Sequence, residues 1–167
     1  MNVTYEKKNE MTFIGYHTMI HPEEAYQKCP EFWDKEYAVK YARLWQTMKP
    51  ETEIEAAILE NEIGMYAICS ESENSFKYWI AGLYKGGEVP EGLELYNFPE
   101  SNWAVFTTKG AMPDSLQELN TYVWQEWLPT EGKKYQANEK ATLEVYSAGD
   151  PQSPNYECGI WVPVKER

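Results

Sequence analysis

Between Trp103 and Pro129 the chain spells out a strand, a turn, an amphipathic helix and a stop, and this stretch limits the fold more than any other. Trp103-Ala104-Val105-Phe106-Thr107-Thr108 is a β-branched and aromatic run that reads as a strand. Lys109-Gly110 ends it. Met112-Pro113-Asp114-Ser115 then opens a helix, with Glu118 three residues after Ser115 in capping-box spacing. Leu116, Leu119, Val123 and Trp127 recur at i, i+3, i+7 and i+11 and make one apolar stripe. Pro129 cannot donate a hydrogen bond within a helix, so the helix is predicted to stop near Leu128.

The rest of the chain repeats this plan. Met11 to Met19 reads as a strand, and His21-Pro22-Glu23-Glu24 as a helix start with proline in the first turn and acids at the positive end of the dipole. The helical region runs to about Lys49, with Pro30 a candidate break. Its second part carries Tyr37, Tyr41, Leu44, Trp45 and Met48 on one face, and Pro50 ends it. Glu51 to Glu62 is acidic around a small apolar patch, Ile54 to Leu59, and reads as a loop or short strand. Ile63 to Ser70 and Phe76 to Tyr84 are predicted strands around the polar turn Glu71 to Ser75. Leu93 to Asn97 is a short extended piece. A loop from Gly132 to Asn138 follows the second helix, and Thr142 to Ser147 and Tyr156 to Val164 form the last strand pair around Ala148-Gly149-Asp150-Pro151.

The order is strand, helix, strand, strand, twice over. It predicts an α+β domain over 11–167 after an N-terminal extension, 1–10. Its half-repeats span about 11–85 and 93–165, with the glycine-rich linker 86–92 between them. Two such halves are expected to join into an antiparallel sheet with pseudo-two-fold symmetry, both helices on one face and a central groove.

Composition narrows the function. At 43% hydrophobic the chain suits a globular protein, and no apolar run approaches the roughly 20 residues of a membrane span. Met1 to Glu10 has no apolar run behind Lys7-Lys8, so it is not a secretory signal, and a cytoplasmic location is expected. Cys29, Cys69 and Cys158 are far apart, without C-x-x-C spacing, and read as buried free thiols. Asp and Glu outnumber Lys and Arg 27 to 15, and no basic segment holds more than two charges (Lys165 with Arg167 among them), so direct nucleic-acid binding is not expected. A formal charge of −12 would attract cations or a basic protein, or simply keep the chain soluble. Seven Trp, thirteen Tyr and five Phe are more rings than an average core uses, and some are expected to line a pocket.

Strand parity selects the candidates. Leu143 and Val145 share one face of their strand, Glu144 and Tyr146 the other; in the last strand Cys158, Ile160 and Val162 oppose Glu157, Gly159 and Trp161. Paired as a hairpin, Glu144, Tyr146 and Trp161 are expected to point into one space. An acid on a strand is most often a solvated surface charge. The alternative for Glu144 is a carboxylate among aromatics that pairs a cation or transfers a proton, with Tyr66 or Tyr146 assisting. Tyr16, Tyr66, Trp79, Trp103, Trp124 and Trp161 complete the candidate ligand-binding set, core packing being the ordinary alternative for each. His17 and His21, four apart, do not share a helix face and have no third ligand nearby, so no metal and no cofactor is expected. Neither a G-x-S-x-G elbow nor a phosphate-binding loop is present.

Six short motifs occur in a recognisable order: Tyr78-Trp79-Ile80-Ala81-Gly82, Val89-Pro90-Glu91-Gly92-Leu93, Trp103-Ala104-Val105-Phe106, Glu126-Trp127-Leu128-Pro129, Leu143-Glu144-Val145-Tyr146 and Ile160-Trp161-Val162-Pro163-Val164. Over about Met11 to Lys165 the chain resembles the GyrI-like small-molecule-binding superfamily, the effector-binding domain of some AraC-type and MerR-type bacterial transcription regulators. The resemblance implies two fused strand-helix-strand-strand units and a groove for lipophilic, often cationic or aromatic compounds, with Glu144 matching the relatives' buried glutamate. Many relatives carry a glutamate directly before the Ile-Trp motif, where this chain has Gly159. No helix-turn-helix segment is visible, so a stand-alone member is expected, a monomer or dimer that binds or sequesters ligands. The alternatives within the same resemblance are a hydrolase of cyclopropanoid or similar electrophiles acting through Glu144, Tyr66 or Tyr146, and a protein inhibitor of DNA gyrase. Whether the chain is an enzyme stays open, binding being preferred.

Overall fold

Alternation of apolar and polar residues produces nine strands among the described residues: β1 (Asn2–Lys8), β2 (Met11–Ile20), β3 (Tyr66–Glu71), β4 (Phe76–Leu83), β5 (Glu94–Phe98), β6 (Ser101–Lys109), β7 (Tyr135–Ala137), β8 (Ala141–Tyr146) and β9 (Glu157–Glu166). The helices are α1 (Ala25–Trp33), α2 (Ala42–Thr47), α3 (Glu53–Glu60) and α4 (Asp114–Tyr122). The computed structural model describes residues 2–71, 73–137 and 141–166. The chain divides into two compact units, Met11–Asn97 and Met1–Glu10 with Phe98–Arg167.

The predicted α+β plan is present in both units, with one topology. In the first, β4 pairs antiparallel with both β2 and β3. In the second, β9 pairs antiparallel with both β6 and β8. Each unit adds a strand beside its first: β5 beside β2, and β1 beside β6. One sheet face of each unit is buried under helix. In the first, Ile14, Ile80, Leu44, Ile58 and Ile63 pack together. In the second, Phe106, Cys158, Ile160 and Val162 meet Leu116, Leu119, Val123 and Trp127, the stripe read from the sequence. A side chain of this kind contributes roughly 1.5–3 kcal/mol when fully buried, so these stripes hold the helices in place.

Several boundaries differ from the sequence reading. The 1–10 extension is not separate from the fold. Its residues 2–8 form β1, and Asn2 to Lys8 lie opposite Thr107 to Ser101. Tyr5 accepts a hydrogen bond from Trp127 Nε1 at 3.2 Å, and Val3 packs on the α4 cluster, so apolar residues at alternate positions bind the segment in. The piece read as opening the second half, Leu93 to Asn97, belongs to the first unit, where Asn97 Nδ2 donates to Thr12 Oγ1 at 2.9 Å. Helix α1 runs through Pro30 to Trp33, giving up one backbone bond, and the chain widens into π turns over 34–39. Met48 in the left-handed conformation closes α2 just before Pro50. The loop expected over 132–138 holds a 3-10 turn and β7; its last residue, Asn138, lies outside the described residues.

The stretch 51–62, read as loop or strand, contains α3. Its start signal is Thr52-Glu53-Ile54-Glu55: Thr52 Oγ1 accepts from Glu55 N at 3.1 Å, and Glu55 Oε1 accepts from Glu51 N at 2.7 Å. Arg43 Nη2 reaches both Glu55 oxygens, at 2.8 and 2.7 Å. Conversely, Ser115 is not a capping residue. It sits inside the first turn of α4, buried, and its Oγ donates to Gly110 O at 3.1 Å.

Replacing Thr52 by Ala removes the acceptor for the Glu55 amide and is expected to cost about 1 kcal/mol. A lowered urea midpoint with an unchanged m-value would show it; an unchanged midpoint would mean that α3 does not depend on this cap.

Candidate functional site

Residues directly opposite one another in an antiparallel pair lie on the same face. In the second unit Glu144 is opposite Ile160, Tyr146 opposite Cys158 and Leu143 opposite Trp161. Glu144 and Tyr146 therefore share the face that α4 covers, and Trp161 is on the other one. The expected grouping of Glu144, Tyr146 and Trp161 is corrected by this register. A shift of one residue in pairing exchanges every side chain between faces, and composition does not specify the shift.

Glu144 is half-buried, and Tyr146 Oη donates to its Oε1 at 2.5 Å. The phenol fixes where the carboxylate points. Beside them lies Cys158, whose Sγ is 3.8 Å from Ser115 Oγ. Burial pushes the Cys158 thiol above its ordinary range, the Ser115 hydrogen bond opposes this, and the charge of Glu144 adds to it. Cys158 is a protonated thiol at neutral pH, poorly suited to nucleophilic work.

On the other face of the same unit, Trp103 lies edge-on to Trp161 with ring centroids 6.4 Å apart. Trp103 is fully buried and its Nε1 has no hydrogen-bond partner among the described residues. The Lys8 ammonium stands 4.2 Å from the centre of the Trp161 ring. Trp124 takes no part in either group: it is 39% exposed, and its Nε1 donates to Asn120 Oδ1 at 3.0 Å.

In the first unit Tyr16 is opposite Ile80, on the helix-covered face, whereas Trp79 is opposite His17 and Ile68, and Tyr66 is opposite Ala81. Tyr16 thus stands apart from Tyr66 and Trp79. Its ring meets Phe32 at 5.7 Å and Tyr41 at 6.4 Å, and its hydroxyl donates to Glu36 O at 3.0 Å. Burial, then Tyr41, Tyr37 and Glu36, holds this phenol well above its usual range. Burial does the same to Tyr37, which donates to Ile63 O at 2.8 Å. Trp33 Nε1 donates to the hydroxyl of buried Tyr78 at 2.8 Å. Phe32 and Trp33 are not among the candidates read from the sequence, and Tyr78 enters there only as the start of a motif, although Phe32-Trp33 ahead of the Tyr37–Tyr41 stripe was a signal.

On the opposite face Tyr66 lies edge-on to Phe13 at 5.0 Å, and its phenol is pushed up by burial and by Glu62. Trp79, 4% exposed, packs against His17 at 4.7 Å and Tyr96 at 5.7 Å. His17 Nε2 is 3.0 Å from Glu94 Oε2. His17 Nδ1 and Trp79 Nε1 are buried without a hydrogen-bond partner among the described residues.

Gly159, where relatives are expected to carry a glutamate, is opposite Thr107. A Cβ there would come within 2.6 Å of Phe106 O, so β6 leaves no room for a side chain.

Two repeated strand–helix–strand–strand units are the fold of the GyrI-like effector-binding class, and the family match places the chain in that class. The chain belongs to the Cass2 family, described as integron-associated effector binding proteins, whose profile matches residues 4–164. It is 25% identical over 124 residues to the transcriptional regulator BrlR of Pseudomonas aeruginosa, covering 73% of this chain and 45% of that protein. The chain therefore spans less than half the length of this curated relative. Among solved structures it is similar to SAV2435 bound to tetraphenylphosphonium (TM-score 0.76, 22% identity, 99% of this chain and 94% of the other). It is also similar to a bacterial transcription regulation protein from Staphylococcus aureus MU50 (TM-score 0.69, 23% identity, 99% of both chains). No helix among the described residues is long and apolar enough to cross a membrane.

Two measurements follow from this geometry. Gly159→Ala is expected to destabilise the fold by about 1–3 kcal/mol through overpacking against β6, and a wild-type denaturation midpoint would count against the close approach. Tyr16, Tyr37 and Cys158 keep their protons in the fold at pH values where the unfolded chain releases them. Above about pH 8.5 the folded state then binds more protons than the unfolded one, so stability falls as pH rises through the ordinary thiol and phenol range. Urea midpoints at pH 7, 9 and 10.5 should decline in that order, and less steeply in Tyr16→Phe.

Proposed function

We propose that this chain binds lipophilic aromatic or cationic small molecules, as an effector-binding or sequestering module. The observation that carries the reading is Glu144, a carboxylate held by the Tyr146 hydroxyl at a half-buried position beside the apolar residues Ile160 and Cys158. Water screens such a charge less than an exposed one, so a cation with an apolar body gains both Coulombic attraction and burial. The half-buried rings of Tyr16 and Tyr66 offer stacking surface to the same kind of compound. Membership of an effector-binding family supports the reading, as does the relative SAV2435, whose structure holds the lipophilic cation tetraphenylphosphonium. Likeness to BrlR suggests that the bound state is read by transcription machinery, through a regulator of which such a module forms part.

The test is a thermal-shift titration with tetraphenylphosphonium and with planar aromatic dyes, on the wild type and on Glu144→Gln. At a hundredfold excess over Kd a rise of roughly 5–10 °C is expected, and Glu144→Gln should weaken cation binding at least about tenfold. Equal shifts in both proteins would remove Glu144 from the site. Silence across the panel would end the small-molecule reading.

A further inference from the structure

Register along β1 places Lys8 opposite Ser101, Glu6 opposite Trp103 and Thr4 opposite Val105, and Val105 is in turn opposite Trp161. Thr4, Glu6 and Lys8 thus share the sheet face of Trp103 and Trp161, the face away from α4. On it the Lys8 side chain is only 22% exposed. Its ammonium lies 4.2 Å from the Trp161 ring centre and 3.5 Å from Glu6 Oε1. Thr4 Oγ1 donates to the other Glu6 oxygen at 2.8 Å and so orients the carboxylate. Trp103, edge-on to Trp161, backs the ring.

A carboxylate on one side and an indole face on the other is how proteins recognise organic cations. Here the cation they hold is the chain's own. An ammonium on a flexible four-carbon stem is a weak and displaceable occupant compared with a lipophilic cation, which brings apolar surface to the same Trp161 face. A strand residue with nothing else to do would extend into water, as Lys7 does in reaching Glu100 from an exposed position.

We propose that Glu6 and Trp161, with buried Trp103 backing the ring, form a second cation site, and that Lys8 is its internal occupant, which a lipophilic quaternary phosphonium or ammonium ion displaces. Lys8 therefore sets the threshold for binding at this face. The proposal shares with the preceding reading only the premise that the chain binds cations; its carboxylate is Glu6, on the face opposite Glu144.

Tetraphenylphosphonium is titrated into the full chain labelled with 13C-lysine, with neutral triphenylphosphine oxide as control. In the free protein the Lys8 ε-methylene protons are expected upfield, in the shielding cone of the Trp161 ring. The phosphonium should return them to the free-lysine position and the neutral oxide should not. Because the wild type supplies this readout, it does not depend on any variant folding. By Trp fluorescence quenching, Lys8→Met should bind the cation about threefold to thirtyfold more tightly, Glu6→Gln more weakly, and displacement of Lys8 should persist in Glu144→Gln. Unshifted Lys8 protons in the free protein would overturn the proposal. So would binding that depends on Glu144 while the Lys8 signal stays fixed, a result that leaves the first site standing. Failure of the cation to bind either wild type or Lys8→Met would overturn both.

Discussion

The pairing of β9 with β6 on one side and β8 on the other is the constraint on which the second unit depends. It sends Cys158, Ile160, Val162 and Val164 under α4, against Leu116, Leu119, Val123 and Trp127. It sends Gly159 and Trp161 to the opposite face. A one-residue slip would bring Trp161 beneath the helix and carry the apolar set out into water, so burial of that set locks the register. The close approach of Gly159 to the Phe106 carbonyl adds a steric pin, since a side chain there would force the strands apart.

From that register come two chemically distinct faces. The helix-covered face holds the Glu144–Tyr146 pair next to a thiol that burial keeps protonated. The other holds the indoles of Trp103 and Trp161, with the Lys8 ammonium over one of them. Each face has a carboxylate close to rings, but the carboxylates are on different strands and come from opposite ends of the chain. Tyr5 of β1 turns to the α4 side and takes the Trp127 hydrogen bond, while Glu6 turns to the indole side. A single short strand therefore braces one face and charges the other.

Much of the fold was legible. The Trp103–Pro129 stretch appears as β6, α4 and its continuation to Leu128, because a β-branched run, a strict apolar stripe and a proline each act locally. The elements that were missed or misplaced are those whose stability comes from partners far away in sequence. Helix α3 is eight residues long and reads as loop until Arg43 grips Glu55 and Ala57 and Ile58 reach the core. Strand β1 is polar by composition and becomes a strand because β6 offers it an edge. Ser115 and Glu118 have capping-box spacing, yet the helix begins at Asp114 with Pro113 at the cap, and Ser115 is drawn down to the Gly110 carbonyl.

The candidate site divides in the same way. The amino-acid sequence by itself determined the repeated strand–helix–strand–strand plan, the aromatic excess, and Glu144 and Tyr146 as strand neighbours two residues apart, because these depend on local periodicity and composition. Tertiary structure alone decided that Trp161 parts from Glu144, that Tyr16 parts from Tyr66 and Trp79, and that Lys8 crosses to Trp161. Side-chain alternation is written into each strand, but which strand lies opposite which, and in what register, is settled only when the apolar face of each unit's sheet is buried under its helices.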